Sequence, residues 1–263
     1  MDLRIYQIDA FTRRIFSGNP AAVVPLSTWL EDSLMQHIAA ENNCSETAFI
    51  VALDDTDACW HIRWFTPYVE VPLCGHATLA SAAVIQREFS PASWPIELRS
   101  ASGPLSVDID GDGFVLDFPA NAPVPAAIPA GLAQALGTEV GECFRAKGFY
   151  LLTLADEKCV QMLKPDFRQI ATLTDDSIIV TAPGDRVDFV SRFFAPGLGI
   201  NEDPVTGAAH CVLTPYWSKR LDKKKMHARQ ISRRGGDIGC ELRDNRVLLR
   251  GHTAFYLEGQ LSV

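Results

Sequence analysis

Arg63-Trp64-Phe65-Thr66-Pro67, followed by Pro72-Leu73-Cys74-Gly75-His76-Ala77, decides how this chain is read. The pattern recurs in the second half as Arg192-Phe193-Phe194-Ala195-Pro196, followed by Pro204-Val205-Thr206-Gly207-Ala208-Ala209. In each copy an aromatic, strand-like run meets a proline, and a glycine then opens an apolar helix. The echo predicts two similar half-molecules whose two helix starts face one cleft. A helix start carries unpaired backbone N–H groups and the positive end of the dipole, so it suits an anion. Two such starts would hold a small carboxylate-bearing substrate.

The helices themselves support this plan. From Gly75, the residues Ala77, Leu79, Ala80, Ala82, Ala83, Val84 and Ile85 surround the helix with small apolar groups. A helix apolar on all sides is buried, which places it inside a wrapped sheet. Residues 207–214 read the same way, and Pro215 is expected to end or kink that helix. Strands are expected over 3–10, 21–24, 47–53, 59–65, 114–118, 148–154, 177–182, 187–194 and 246–250. Thr28 and Glu31 predict a capping box, opening a helix that carries Leu30, Leu34 and Ile38 on one face and runs out at Asn42-Asn43. A short helix is expected over 130–136, stopped by Gly137. Pro119, Pro123, Pro125 and Pro129 mark the linker between the halves.

The 263 residues suffice for one large domain or two smaller ones, each with its own core. A net charge of −8 argues against nucleic acid as the general partner. The basic run Lys219 to Arg234 is the exception; it reads as a solvated helix end and hairpin, because no aromatic platform interleaves with it. Seven cysteines, an odd number without any Cys-x-x-Cys, do not form a disulfide framework or a zinc ribbon. No apolar run is long enough to span a membrane, and the start Met1-Asp2-Leu3-Arg4 lacks a secretory pattern. A reducing cytoplasm is the expected location.

Polar groups capable of chemistry gather at four turns: Asn19, Ser45-Glu46-Thr47, Cys74-Gly75-His76 and Glu202-Asp203-Pro204. Glu46 sits where a helix end meets an apolar strand, so partial burial would suit it to acid–base work; a solvated turn residue is the plainer alternative. His76, at the positive end of a helix, is expected to be a neutral imidazole, or else a satisfied core histidine. Cys74 lies where a thiolate would be stabilised, yet a buried cysteine is as often a small apolar filler. Asp203 is a proton-handling candidate or a helix cap. Cys74, His76, His210 and Cys211 are soft ligands, but their spacing is not that of a zinc site. No metal is expected.

Together these segments resemble the PhzF-like (phenazine-biosynthesis-like) isomerases, relatives of diaminopimelate epimerase. The matching blocks are Asp9-Ala10-Phe11-Thr12 with Phe16 to Val23, Ala40 to Phe49, Arg63 to Ala80, and Arg192 to Pro215. The resemblance implies an α/β (α+β) fold of two pseudo-symmetric domains, each a curled, mostly antiparallel sheet or barrel around a central helix. It implies domains at 1–117 plus 255–263 and at 118–254, a homodimer, and no cofactor. By position, Glu46 matches the proton-shuttling glutamate, His76 the active-site histidine and Asp203 the assisting carboxylate. Asn19, Ser45, Cys74, Gly75, Thr206, Gly207 and Ala208 are expected to contact substrate. Two departures matter. The epimerase relatives use opposed cysteines, whereas Thr206 stands at the second position here, and a hydroxyl is too weak an acid to replace a thiol. The phenazine enzyme has a serine at the place of Ala208 and no cysteine at its first helix start, which speaks against carrying its substrate over. The expected activity is a cofactor-independent proton shift on a small carboxylate-bearing metabolite. The alternatives are a racemase-like reaction with Cys74 as one base, and a non-catalytic protein that binds small acids.

Overall fold

Alternation of apolar and polar residues makes the first strand, β1 (Asp2–Ala10), which buries Tyr6, Ile8 and Ala10. It opens the computed structural model of the chain, which describes residues 1–53 and 56–263. The stretch between the expected strands 47–53 and 59–65 therefore lies partly outside the described residues. The chain divides into two units, Met1–Asp117 with Arg250–Val263, and Phe118–Leu249.

In the first unit β1 pairs antiparallel with β2 (Asn19–Leu26). Helix α1 (Asp32–Asn42) then leads to β3 (Glu46–Ala52), parallel to β2. β4 (Cys59–Phe65) runs antiparallel to β3, and the short β5 (Glu70–Val71) returns against β4. Helix α2 (Gly75–Glu88) crosses over to β6 (Ile96–Ser100), which lies parallel to β4. β7 (Gly103–Asp110) and β8 (Gly113–Pro119) complete an antiparallel meander.

The second unit repeats this order. β9 (Val124–Pro125), α3 (Leu132–Leu136) and β10 (Cys143–Ala146) precede β11 (Phe149–Thr153). Short helices α4 (Glu157–Gln161) and α5 (Phe167–Leu173) lead to β12 (Ser177–Pro183), parallel to β11. β13 (Phe189–Ala195) is antiparallel to β12, and β14 (Ile200–Asp203) returns against it. Helix α6 (Gly207–Leu221) crosses to β15 (Lys225–Gln230), parallel to β13, and β16 (Gly236–Arg243) pairs antiparallel with β15. After β17 (Arg246–Gly251), the chain returns to the first unit as β18 (Thr253–Ser262), antiparallel to β1. The fold is thus mixed α/β, with strands predominating. Among the described residues no helix is long and apolar enough to cross a membrane.

Each unit wraps its strands around one helix. α2 buries every residue from His76 to Ile85 and packs on β1, β2, β3 and β18. The alanines let strands approach from several sides, while Leu79, Val84 and Ile85 each contribute about 1.5–3 kcal/mol through complete burial. α6 packs on β11, β15 and β16, with Trp217 stacked on Phe189 at 5.5 Å between ring centroids.

The echoed motif is a mechanical brace in both units. Arg63 donates from Nε and Nη2 to the two carboxylate oxygens of Glu70, at 2.7 Å each. Arg192 does the same to Glu202, at 2.7 and 2.9 Å. Each guanidinium also lies over the aromatic ring two residues on, Phe65 at 5.2 Å and Phe194 at 5.1 Å. A paired, charge-assisted fork of this kind fixes orientation as well as adding energy. It anchors β5 and β14, the short strands that feed the two central helices.

Three local expectations are corrected. Thr28 does not cap α1; the N-cap is Glu31, whose carbonyl accepts the amides of Leu34 and Met35, and whose side chain makes no cap bond. Leu30 precedes the helix, and the buried face is Met35, Ile38 and Ala39. Pro215 does not end α6, which continues to Leu221. A proline strips the carbonyl four residues earlier of its donor, and here the amide of Asn121 supplies one to the Cys211 carbonyl at 3.0 Å. The basic run 219–234 forms the end of α6 and the β15–β16 hairpin. Its charges meet acids there: Arg220 with Glu142, Lys223 with Asp188, and Lys225 with Glu241.

Candidate active site

In the first unit the start of α2 adjoins the starts of β2 and β3, so their first side chains converge. Cys74 is the N-cap of α2, in extended conformation, with no cap bond from its side chain. His76 follows in the first turn, 4% exposed. Its Nε2 lies 3.1 Å from Glu46 Oε2, at the first residue of β3. The two atoms are misaligned for a hydrogen bond, and both are buried without one. The other ring nitrogen, Nδ1, faces Asn19 Nδ2 at 3.1 Å and Cys74 Sγ at 3.5 Å. Asn19 Oδ1 in turn accepts from Ser45 Oγ at 3.2 Å. While the ring is neutral, the amide donates to Nδ1 and the ring proton sits on Nε2, towards Glu46.

The electrostatics run against two expectations. Burial draws the His76 pKa down, but the Cys74 sulfur and the Glu46 carboxylate push it up and prevail, leaving it well above 6.5. Cys74 is itself raised to about 11, by burial and by Glu46, against the pull of His76. The thiol is therefore neutral at pH 7, and Glu46 is the charge that acts on His76. The helix dipole predicts a neutral histidine and an activated thiolate; a carboxylate 3.1 Å away outweighs the partial charge of a helix end. Since its folded pKa is raised, His76 contributes stability below its unfolded value, and that contribution is lost as pH rises through the folded one. Glu46→Gln removes the raising charge, so the His76 pKa should fall, which an NMR titration of the ring would show.

The second unit builds a matching helix start. Thr206 is the N-cap of α6, at φ −118° and ψ 104°, close to Cys74 at −143° and 114°. Asp203, 8% exposed at the end of β14, accepts from the Thr206 hydroxyl through Oδ2. Gly207 is buried and Ala208 exposed in the first turn. His210 donates from Nδ1 to the Thr206 carbonyl at 2.8 Å, as Thr78 does to the Cys74 carbonyl in α2. Burial lowers the His210 pKa to about 4, so this ring is neutral.

Glu46, Cys74 and His76 have ligand atoms within 4.8 Å of one another. Sγ lies by one ring nitrogen and Oε2 by the other, and the two nitrogens of an imidazole diverge. The three groups do not close on a single ion in this arrangement.

A family model described as phenazine biosynthesis-like protein matches residues 8–259. The chain belongs to this family. It is 48% identical over 261 residues to an uncharacterized isomerase of Pseudomonas aeruginosa, covering 99% of each chain. The crystal structure of a PhzF-family phenazine biosynthesis protein from Enterococcus faecalis superposes with a TM-score of 0.95, at 43% identity and full coverage of both chains. A hydroxyproline epimerase from Agrobacterium vitis shares the fold alone, with a TM-score of 0.64 at 11% identity, over 99% of this chain and 92% of that one.

In this phenazine biosynthesis-like protein Asn19 is fully buried, with both ends of its amide engaged. That geometry supports a role in orienting His76. Sequence reasoning missed Gln230, which is fully buried on β15. Its Nε2 donates to the Asp203 carbonyl at 2.7 Å and to the Thr206 hydroxyl at 3.2 Å, and its Oε1 accepts from the Thr206 amide at 2.9 Å. The hydroxyl is thereby fixed as a donor to Asp203. The only signal was a polar residue at an inward position of an alternating strand. Gln230→Glu keeps the acceptor and loses the donor, so urea unfolding should show a loss of about 1–2 kcal/mol.

Proposed function

We propose that this isomerase-family protein shifts a proton on a small carboxylate-bearing metabolite, without metal or organic cofactor. Glu46 removes the proton next to an activated carbon and returns it elsewhere on the same face. His76 carries the proton that balances Glu46 and donates towards charge that develops on the substrate. The uncapped amides at the start of α2 take its carboxylate. The observation that carries this reading is the pair Glu46 Oε2 and His76 Nε2: buried, 3.1 Å apart and without aligned partners. Buried polar atoms are normally satisfied, and unsatisfied ones cluster where a ligand completes them.

A neutral thiol at about 11 is a poor base, which disfavours the racemase-like alternative with Cys74 as an acid–base partner. The experiment is a set of small carboxylic acids incubated with the protein in D₂O and followed by NMR for loss of C–H signals. Cys74→Ala should retain exchange within about tenfold of the parent, because a small filler is lost rather than a base. Loss of all exchange in Cys74→Ala would instead support the two-base reaction. Stabilisation of the fold by several acids without exchange in any would support a binding protein.

A further inference from the structure

Asn19 lies between two groups that make different demands on its amide. It is fully buried at the start of β2, with Ser45 Oγ 3.2 Å from Oδ1 on one side and His76 Nδ1 3.1 Å from Nδ2 on the other. In this orientation the amide can only donate to Nδ1, so it suits a neutral ring whose proton is on Nε2. The electrostatics of the same pocket favour the charged ring: burial lowers the His76 pKa, but Cys74 and Glu46 hold it well above 6.5. A charged imidazole donates from both nitrogens. Its Nδ1–H would then meet the Asn19 Nδ2 hydrogens, donor against donor at 3.1 Å, between two buried side chains.

A half-turn of the amide removes the conflict. The terminal torsion of Asn is roughly twofold, so the rotation exchanges Oδ1 and Nδ2 in place. Oδ1 then accepts from Nδ1–H, and Nδ2 donates towards Ser45. A hydroxyl rotates to suit, donating to Oδ1 in one orientation and accepting from Nδ2 in the other. Ser45 is therefore matched to both, and no buried donor is stranded. Cys74 Sγ, 3.5 Å from Nδ1, is the other neighbour, but a thiol sulfur is a weak acceptor. Of the elements packed on α2, β2 carries no titratable side chain and β3 only Glu46. β1 buries Tyr6 and Asp9, whose Oδ2 accepts from the Phe16 amide, and Cys44 just ahead of β3 is a buried thiol. At the surface Glu258 of β18 pairs with Arg4 of β1 and with Arg87, while Asp2 and Tyr256 are exposed.

We propose that the Asn19 amide turns over when His76 gains its second ring proton, with Ser45 as its hydrogen-bond partner in both orientations. Asn19 and Ser45 are thus positioning residues that act through the histidine. With Nδ2 towards the ring, the neutral imidazole keeps its proton on Nε2. With Oδ1 towards the ring, Nδ1 keeps a proton and Nε2 can release its own. The inference deepens the proton-shift reading and rests on it for the use of the flip in turnover; the flip itself is observable without substrate.

The test is an NMR titration of the substrate-free, full-length protein through the His76 midpoint. The Asn19 side-chain amide signals should move with the same midpoint as the His76 ring. Their nuclear Overhauser contacts should pass from His76 Hε1 to the Ser45 β protons as the ring becomes charged. In Glu46→Gln, where the His76 midpoint falls, the Asn19 midpoint should fall with it. Asn19→Asp, whose carboxylate can only accept, should raise the protonation constant of His76 about tenfold. Contacts that stay the same on both sides of the midpoint, an amide that does not follow His76, or an unmoved midpoint in Asn19→Asp would each overturn the proposal. Since no substrate is present, a flip seen in a protein that exchanges protons with no acid would support the flip and count against the proton-shift reading alone.

Discussion

Glu46→Gln should slow solvent-deuterium incorporation into any carboxylate that the protein turns over by about 10²–10⁴-fold. The amide has the size and shape of the carboxylate, so β3 keeps its place and the side chain can still face His76. It cannot accept and return a proton at neutral pH. The loss should therefore fall on exchange and leave unfolding in urea nearly unchanged. Undiminished exchange would remove Glu46 from the mechanism. Because the same substitution lowers the His76 pKa, the residual activity should be followed across pH, which separates lost proton transfer from a histidine that has merely changed charge.

Gly18→Ala should destabilise the chain by about 2–4 kcal/mol, read as a lower urea midpoint. Gly18 sits at φ +66°, and a Cβ there would stand 2.2 Å from the Ala10 carbonyl oxygen and 2.7 Å from Thr12 Cγ2. The left-handed conformation costs a non-glycine residue about 1–2 kcal/mol, and overpacking adds about 1–3 kcal/mol. A backbone carbonyl paired in a sheet cannot swing aside as a flexible side chain can. Relief must come from moving the turn, and the next residue is Asn19, which holds His76 Nδ1 at 3.1 Å. The histidine should then titrate over a broader range, an effect that distant destabilising changes would not produce. An unchanged midpoint would show that the turn yields at no cost.

Much of this was legible because burial leaves a pattern. Strands β1, β3 and β4 and the two central helices show in alternation or in all-round apolar composition, and the echo between Arg63 and Arg192 marks the repeated topology. What escaped did so for physical reasons. Helices α4 and α5, of five and seven residues, are opened by Asp156 and Asp166, whose carboxylates accept from the amides of Cys159 and Gln169, and are too brief for a period to register. β15 does alternate, but Lys225, His227 and Arg229 on its outer side make it read as a basic run. β18 is largely exposed, so it carries little hydrophobic signal although it pairs with β1 throughout. The residue types and turns of Glu46, His76 and Asp203 were visible, but the protonation of His76 was not. It depends on a sub-4 Å neighbour brought from another element, as Glu46 is to His76.

The proline inside α6 turns a missing hydrogen into a socket. Because residue 215 brings no amide, the Cys211 carbonyl is vacant on the helix wall, and Asn121 plugs into it just after the chain enters the second unit. A straightening repair such as Pro215→Ala would refill that socket from within the helix and set two donors competing for one oxygen. The imperfection in the rod is what lets the incoming chain be stitched to its middle.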